Sequence, residues 1–243
     1  MYYFEEVDST NLWLLAQNEI GGRFCLAAQQ LQGRGRRGRG WVSLPGGSVL
    51  LSMGWSPPLP RVAGVSLVSG LAVVRALEAQ GVKNLQLKWP NDILLKAKKI
   101  GGILVEVKRD ALVIGVGLNI DLNISTGIDQ PWTDLISCGY DLDKEQLVAD
   151  LLLIHHSMLE ECQNQGFGIF RERWNKLHGY RDQLVKSVTS NNLVEGYARG
   201  VDDSGALLVE TETGIERIIS GEVSVRLLTR STKKSVETET SVP

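Results

Sequence analysis

Ten residues, QGRGRRGRGW at positions 32–41, hold four arginines and four glycines. Arginine offers a planar fork of donors matched to phosphate oxygens, and glycine lets the backbone come close to a ligand. The combination makes a phosphate clamp, or alternatively a solvated RGG-like segment that binds RNA with Trp41 stacking on a base. It is not a P-loop, because G-x-x-x-x-G-K-S/T is absent. The G-x-G-x-x-G spacing at Gly33, Gly35 and Gly38 is followed by WVSLPGG, which opens no helix, so a dinucleotide site is not expected from it. Two further stretches carry usable chemistry. Lys88-Trp89-Pro90-Asn91-Asp92 presents an amide and a carboxylate side by side on a turn set by proline, or is simply a turn capped by Asn and Asp. Lys99 heads an apolar run with Gly101 and Gly102, where a cation meets backbone that a ligand can approach.

The elements around these stretches must hold them in place. Residues 24–28 and 48–55 are expected to be strands that tether the arginine loop at both ends, which favours an ordered flap over a loose segment. A short strand at 2–4 leads through the caps Asp8-Ser9-Thr10 into a helix over 11–20, stopped by Gly21-Gly22. Prolines 57, 58 and 60 precede a long apolar helix over 62–80. Strands follow at 85–89, 99–108 and 112–120, with turns at Pro90-Asn91-Asp92 and Arg109-Asp110. A helix over 143–163 places Val148, Leu151, Leu152, His155, Leu159 and Cys162 on one face, and another helix spans 167–177. Helices mixed with a strand meander predict an α+β domain with a mixed, largely antiparallel sheet. Past residue 180 the texture changes to short β-runs, which predicts a catalytic domain over 1–180, a small β-barrel over 181–230 and a disordered tail over 231–243.

The totals exclude several classes. With 243 residues and 43% hydrophobic content the chain can bury a large core. Its net charge of −2 makes the arginine run a local feature, whereas nucleic-acid-binding domains are usually basic throughout. Three scattered cysteines without CxxC pairing predict neither disulfides nor zinc, and the adjacent His155 and His156 point apart on a helix. No metal site of the protein's own is expected. No apolar run reaches about 18 residues, so no membrane span is expected. The first residues lack a secretion signal, and a cytoplasmic protein is expected.

Taken in order, Asp8-Ser9-Thr10-Asn11, Gln30 with GRGRRGR at 33–39 and Trp41, KWPND at 88–92, KKIGGILVE at 98–106 and GVGLN at 115–119 closely resemble biotin protein ligases. The resemblance extends to about Leu227, and its β-rich end looks like the family's small SH3-like domain; the catalytic body would be the class II synthetase-like domain. It implies ligation in two steps: biotin and ATP form biotinyl-5′-AMP, and the biotinyl group passes to one lysine of the biotin carboxyl carrier protein of acetyl-CoA carboxylase. By similarity, Ser9, Thr10, Asn11 and Gln30 bind the ureido group of biotin, and Arg34, Gly35 and Arg36 close over acid or adenylate. Lys99 neutralises carboxylate and phosphate, with Gly102 and Leu104 adding backbone contacts. Trp41 stacks on adenine, Asn91 and Arg39 meet phosphate or metal, and Asn119 lies at the nucleotide end. ATP with Mg²⁺ is the implied co-substrate. Asp92 would orient or deprotonate the acceptor lysine. Because the motifs start within ten residues of Met1, a winged-helix DNA-binding domain and repressor function are not expected. Pairing through a sheet edge is common in the family, so a homodimer stays open. Gln32 and Gly101 depart from the family's usual small residue and alanine. A lipoate ligase or octanoyltransferase shares the fold, but would not be expected to carry GRGRRGR beside KWPND.

Overall fold

The computed structural model describes residues 1–56, 64–122, 128, 130–188, 193–219 and 224–227. The proline cluster at 57–60, the start of the apolar helix, Gly221-Glu222-Val223 and the expected tail at 231–243 lie outside the described residues. The first half contains β1 (Tyr2–Val7), α1 (Thr10–Ala16), β2 (Phe24–Gln30), β3 (Ser48–Trp55), α2 (Val65–Ala79), β4 (Leu85–Lys88), β5 (Asp92–Leu95), β6 (Lys98–Lys108) and β7 (Ala111–Asn119). These strands form one sheet in the order β1-β2-β3-β7-β6-β5-β4. β1 and β2 run parallel, joined through α1, and the other neighbours are antiparallel.

The sheet is two-faced. Alternation puts Leu112, Ile114, Val116 and Leu118 of β7 on the face that packs under α2 and α3 (Lys144–Gln165), in the main apolar core. α2 is buried on nearly every side, as its continuous apolar composition demands. The opposite face carries α1, seated on Cys25, Val113 and Ile20 through Leu14, and the arginine loop with Trp41. That helix is shorter than the pattern predicts. Its chain turns extended at Gln17 and lays Ile20 against β3, where a Cβ on Gly54 would collide with the Ile20 carbonyl.

Other differences are local. β5 forms a hairpin with β6 that the sequence reading omits, and its turn residues Lys96 and Ala97 both have positive φ, 50° and 60°. Such turns normally carry Asn-Gly, so the usual signal is missing. The span 167–177 divides into a single-turn 3₁₀ segment, Phe167–Phe170, and α4 (Arg171–Leu177). On α3 the buried face is Leu147, Leu151, His155, Met158, Leu159 and Cys162, with Val148 and Leu152 half-buried beside it.

The carboxy-terminal strands β8 (Leu184–Val188), β9 (Leu193–Val201), β10 (Leu207–Thr211), β11 (Gly214–Ile218) and β12 (Ser224–Leu227) form a second, antiparallel sheet ordered β11-β10-β9-β8-β12. The small β-rich unit expected after residue 180 is thus a five-stranded antiparallel sheet, in which no pairing among the described residues joins β11 to β12. Val185, Ala198, Leu207 and Val209 belong to the same apolar core as α2 and α4. Polar contacts bind the two sheets further. Trp89 Nε1 donates to the Gly205 carbonyl (3.1 Å), Asn175 exchanges hydrogen bonds with Val201, and Arg171 pairs with Asp203 (3.0 Å).

Candidate active site

A cleft opens on the thinly covered face, between α1, the arginine loop and strands β6 and β7. Its floor exists because side chains are missing there. A Cβ on Gly115 would overlap the Asn11 carboxamide, with Asn11 Cγ at 3.0 Å. A Cβ on Gly117 would lie 2.6 Å from the Trp41 indole, and one on Gly102 would lie 3.3 Å from Lys99 Nζ. Gly115 and Gly117 share one face of β7 at period two, so the strand is apolar beneath and open above.

One end of the cleft is a closed polar network. Ser9 caps α1 by accepting from the Leu12 amide (3.4 Å), and both the amide and the hydroxyl of Thr10 donate to Gln30 Oε1, at 2.8 and 2.9 Å. The Ser52 hydroxyl, fully buried in β3, lies 2.7 Å from Thr10 Oγ1 and 2.5 Å from Asn11 Oδ1. Asn11 Nδ2 donates to Glu106 Oε2 (2.9 Å) and reaches Leu104 O (3.4 Å). Such a chain of directional donors and acceptors fixes each amide orientation and suits a ligand rich in amide-like N–H and C=O groups.

The other end is cationic. Between β5 and β6 the register slips, pairing Ile93 with Gly101 but Leu94 with Lys99, so Ile100 is an extra residue. In an unbroken strand Lys99 would face away from Gly102, three residues on; the bulge turns it to the cleft side while Ile100 enters the core. Lys99 Nζ then sits 2.7 Å from Asp92 Oδ1 and 5.5 Å from the centre of the Trp41 ring. Lys88 lies 3.8 Å from the same carboxylate. The Trp41 Nε1 donor is buried and has no hydrogen-bond partner among the described residues.

The arginine loop is closed on itself. Gly35 N donates to Arg39 O (2.7 Å) and Trp41 N to Gly33 O (2.8 Å), and a Cβ on Gly33 would strike the Trp41 carbonyl. Arg37 takes the left-handed conformation, φ 60°, within the short 3₁₀ turn Arg36–Gly38. Arg34 pairs with Glu106 (3.0 Å) and Arg36 reaches Asn91 Oδ1 (3.5 Å). Burial lowers the Arg36 pKa, with Arg37 and Arg39 adding repulsion against the opposing pull of Asp92. A guanidinium held with part of its hydration removed is primed to gain from an incoming anion.

Of the residues singled out from the sequence, Ser9, Thr10, Asn11, Gln30, Arg34, Gly35, Arg36, Arg39, Trp41, Asn91, Lys99, Gly102 and Leu104 line this one cleft. Asp92 stands behind Lys99 and does not line it. Asn119 lies one step further along the Gly115–Gly117 face, buried, its amide donating to Thr133 O (3.1 Å). That bond braces the segment whose Pro131 and Thr133 flank the backbone of Lys99. Ser52 and Glu106 are not singled out by the sequence, and the GVGLN motif does not by itself reveal that its glycines make the space. Glu106 was legible in principle, since it shares strand parity with Gly102 and Leu104.

A family model described as the biotin/lipoate A/B protein ligase family matches residues 3–123, and one described as the biotin protein ligase C terminal domain matches residues 185–226. The chain is 37% identical over 233 residues to the bifunctional ligase/repressor BirA of Salmonella typhimurium, covering 90% of this chain and 72% of that protein. It is 31% identical over 232 residues to the biotin-(acetyl-CoA-carboxylase) ligase of Paracoccus denitrificans, covering 89% and 96%. The biotin protein ligase of Aquifex aeolicus, solved in complex with biotin and ATP, superposes with a TM-score of 0.86 at 31% identity over 93% of this chain and 98% of that one.

Proposed function

This chain belongs to the biotin protein ligase family, and from that premise we propose that its cleft activates biotin with ATP and delivers it to a lysine of a biotin carboxyl carrier domain. The observation that carries this reading is the division of the cleft into an amide-reading end and a cationic end, spanned by the glycine floor. The Ser9, Thr10, Asn11 and Gln30 end fits a ureido ring. The Lys99, Arg34, Arg36 and Arg39 end fits a carboxylate beside phosphates, with Trp41 as the platform for adenine.

In the first step a biotin carboxylate oxygen attacks the α-phosphorus, and the bond to the pyrophosphate leaving group breaks. The two reactants are both anions, so catalysis is chiefly positioning and neutralisation. Lys99 and Arg36 supply the charge, and Asp92 aims Lys99. In the second step the acceptor amine attacks the acyl carbon and AMP departs. A Mg²⁺ ion would come with ATP, held mainly by phosphate and water, and would spread the phosphoryl charge. The reading assigns 1–180 to catalysis and 181–230 to the small domain, and it places the protein in the cytoplasm, where ATP is abundant.

The test is incubation with biotin, Mg²⁺ and ATP labelled at the α-phosphate, with and without carrier domain. Biotinyl-AMP that disappears only when carrier is added supports the ligase; no adenylate, with salt-sensitive RNA binding instead, overturns it. Asp92 can also be assigned a step. If it receives the acceptor lysine's proton, Asp92→Asn, which keeps an oxygen to orient Lys99, slows transfer about a hundredfold or more and adenylate formation far less. Equal loss in both half-reactions would leave it only a brace for Lys99.

A further inference from the structure

Glu106 is a residue to which neither step above gives a task. It sits on the cleft face of β6, four residues beyond Gly102, where the strand would be expected to offer only backbone to a ligand. Its two carboxylate oxygens go to different elements: Oε1 to Arg34 of the arginine loop (3.0 Å) and Oε2 to the Asn11 amide of α1 (2.9 Å). The side chain is 20% exposed, against 42% for Arg34, so the pair closes from the solvent side onto a largely shielded acid. Asn11 has little freedom to move, since its Oδ1 is met by Ser52 and Gly115 leaves just enough room for its amide. The acid is therefore anchored on the floor side and holds an arginine on the lid side.

The geometry points to Glu106 as a positioning residue: a latch that ties the arginine loop to the amide-reading end of the cleft and slows escape of the bound intermediate. The assignment rests on the ligase reading for the identity of that intermediate. The latch itself is made by the chain's own residues. The loop also has its own backbone rungs and the long Arg36–Asn91 contact, and the Arg34–Glu106 ion pair is a short side-chain link from it to the floor. Glu106→Gln keeps an oxygen for Asn11 and removes the charge that holds Arg34. A partly exposed ion pair of this kind is worth a factor of about two to five.

Two measurements decide it. Release of preformed biotinyl-AMP from Glu106→Gln is expected to be about two- to fivefold faster than from wild type. The double variant Arg34→Gln with Glu106→Gln should release no faster than Arg34→Gln alone, because the two changes open one latch. In the unliganded protein, trypsin cleavage after Arg36, Arg37 and Arg39 should accelerate by the same factor in either single variant, since cleavage follows the open population. Unchanged release with unchanged cleavage overturns the latch, and so does additive loss in the double variant. If wild type forms no adenylate, the ligase reading fails and the cleavage arm alone decides. Should Glu106→Gln not fold, Arg34→Gln removes the same pair from the loop side.

Discussion

The two faces of the seven-stranded sheet are built from the same strands by opposite means. Beneath, β7 contributes Leu112, Ile114, Val116 and Leu118 to a core sealed by α2 and α3. Above, the alternate positions Gly115 and Gly117 contribute nothing, and a seven-residue helix with one loop covers what remains. One face gains stability by filling space. The other gains a site by leaving space empty while fixing the amides and hydroxyls at one end of it. Function and stability are thus separated by a half-period of a strand, and substitutions on the two faces should have separable effects.

The largest effect expected on the upper face comes from Lys99→Met, which removes the cation held 2.7 Å from Asp92. Adenylate formation should fall about a hundred- to a thousandfold with the unfolding midpoint nearly unchanged, measured by single-turnover kinetics beside urea melts. Next is Leu71→Ala on the lower face, fully buried in α2. It should cost about 2 to 5 kcal/mol of stability, while activity per folded molecule stays within about twofold. If activity fell in step with stability, the faces would not be separable. Gly115→Ala sharpens the contrast, because a single methyl displaces Asn11. Biotin affinity by calorimetry should weaken by up to about a hundredfold at nearly constant stability.

A pH dependence belongs to the helical side. Burial lowers the pKa of both His155 and His178 to about 4, with Arg181 adding to the effect at His178. Both are neutral in the fold and protonate more readily when unfolded. Their contribution is complete above about pH 6.5 and is lost as pH falls toward 4, at about 1.4 kcal/mol per pH unit for each histidine. Urea unfolding at pH 7 and pH 5 would show it, and no loss of stability on acidification would show that these histidines are not buried as described.

Much of this was legible in the sequence. β3 has its expected bounds, and the residues of the polar end and the arginine loop converge on one cleft. What stayed hidden follows from properties that residue types do not carry. The β5–β6 turn uses Lys96 and Ala97 at positive φ, so a hairpin lacked its signal. The bulge at Ile100 reverses strand parity, so alternation alone would have pointed Lys99 into the core. Beyond the end of α1 the chain lies against Gly54, a partner far along the sequence. Ser52 and Glu106 are ordinary strand residues until the fold places them against Asn11.

The bond from Trp89 to the Gly205 carbonyl has a consequence for synthesis. Its partners stand 116 residues apart, and Trp89 immediately precedes the turn that bears Asn91 and Asp92. A growing chain leaving the ribosome can assemble the mixed sheet long before Gly205 exists. During that interval the indole has no acceptor from the second sheet, and the turn lacks its outer anchor. The finished geometry at this turn therefore waits until synthesis has passed Gly205.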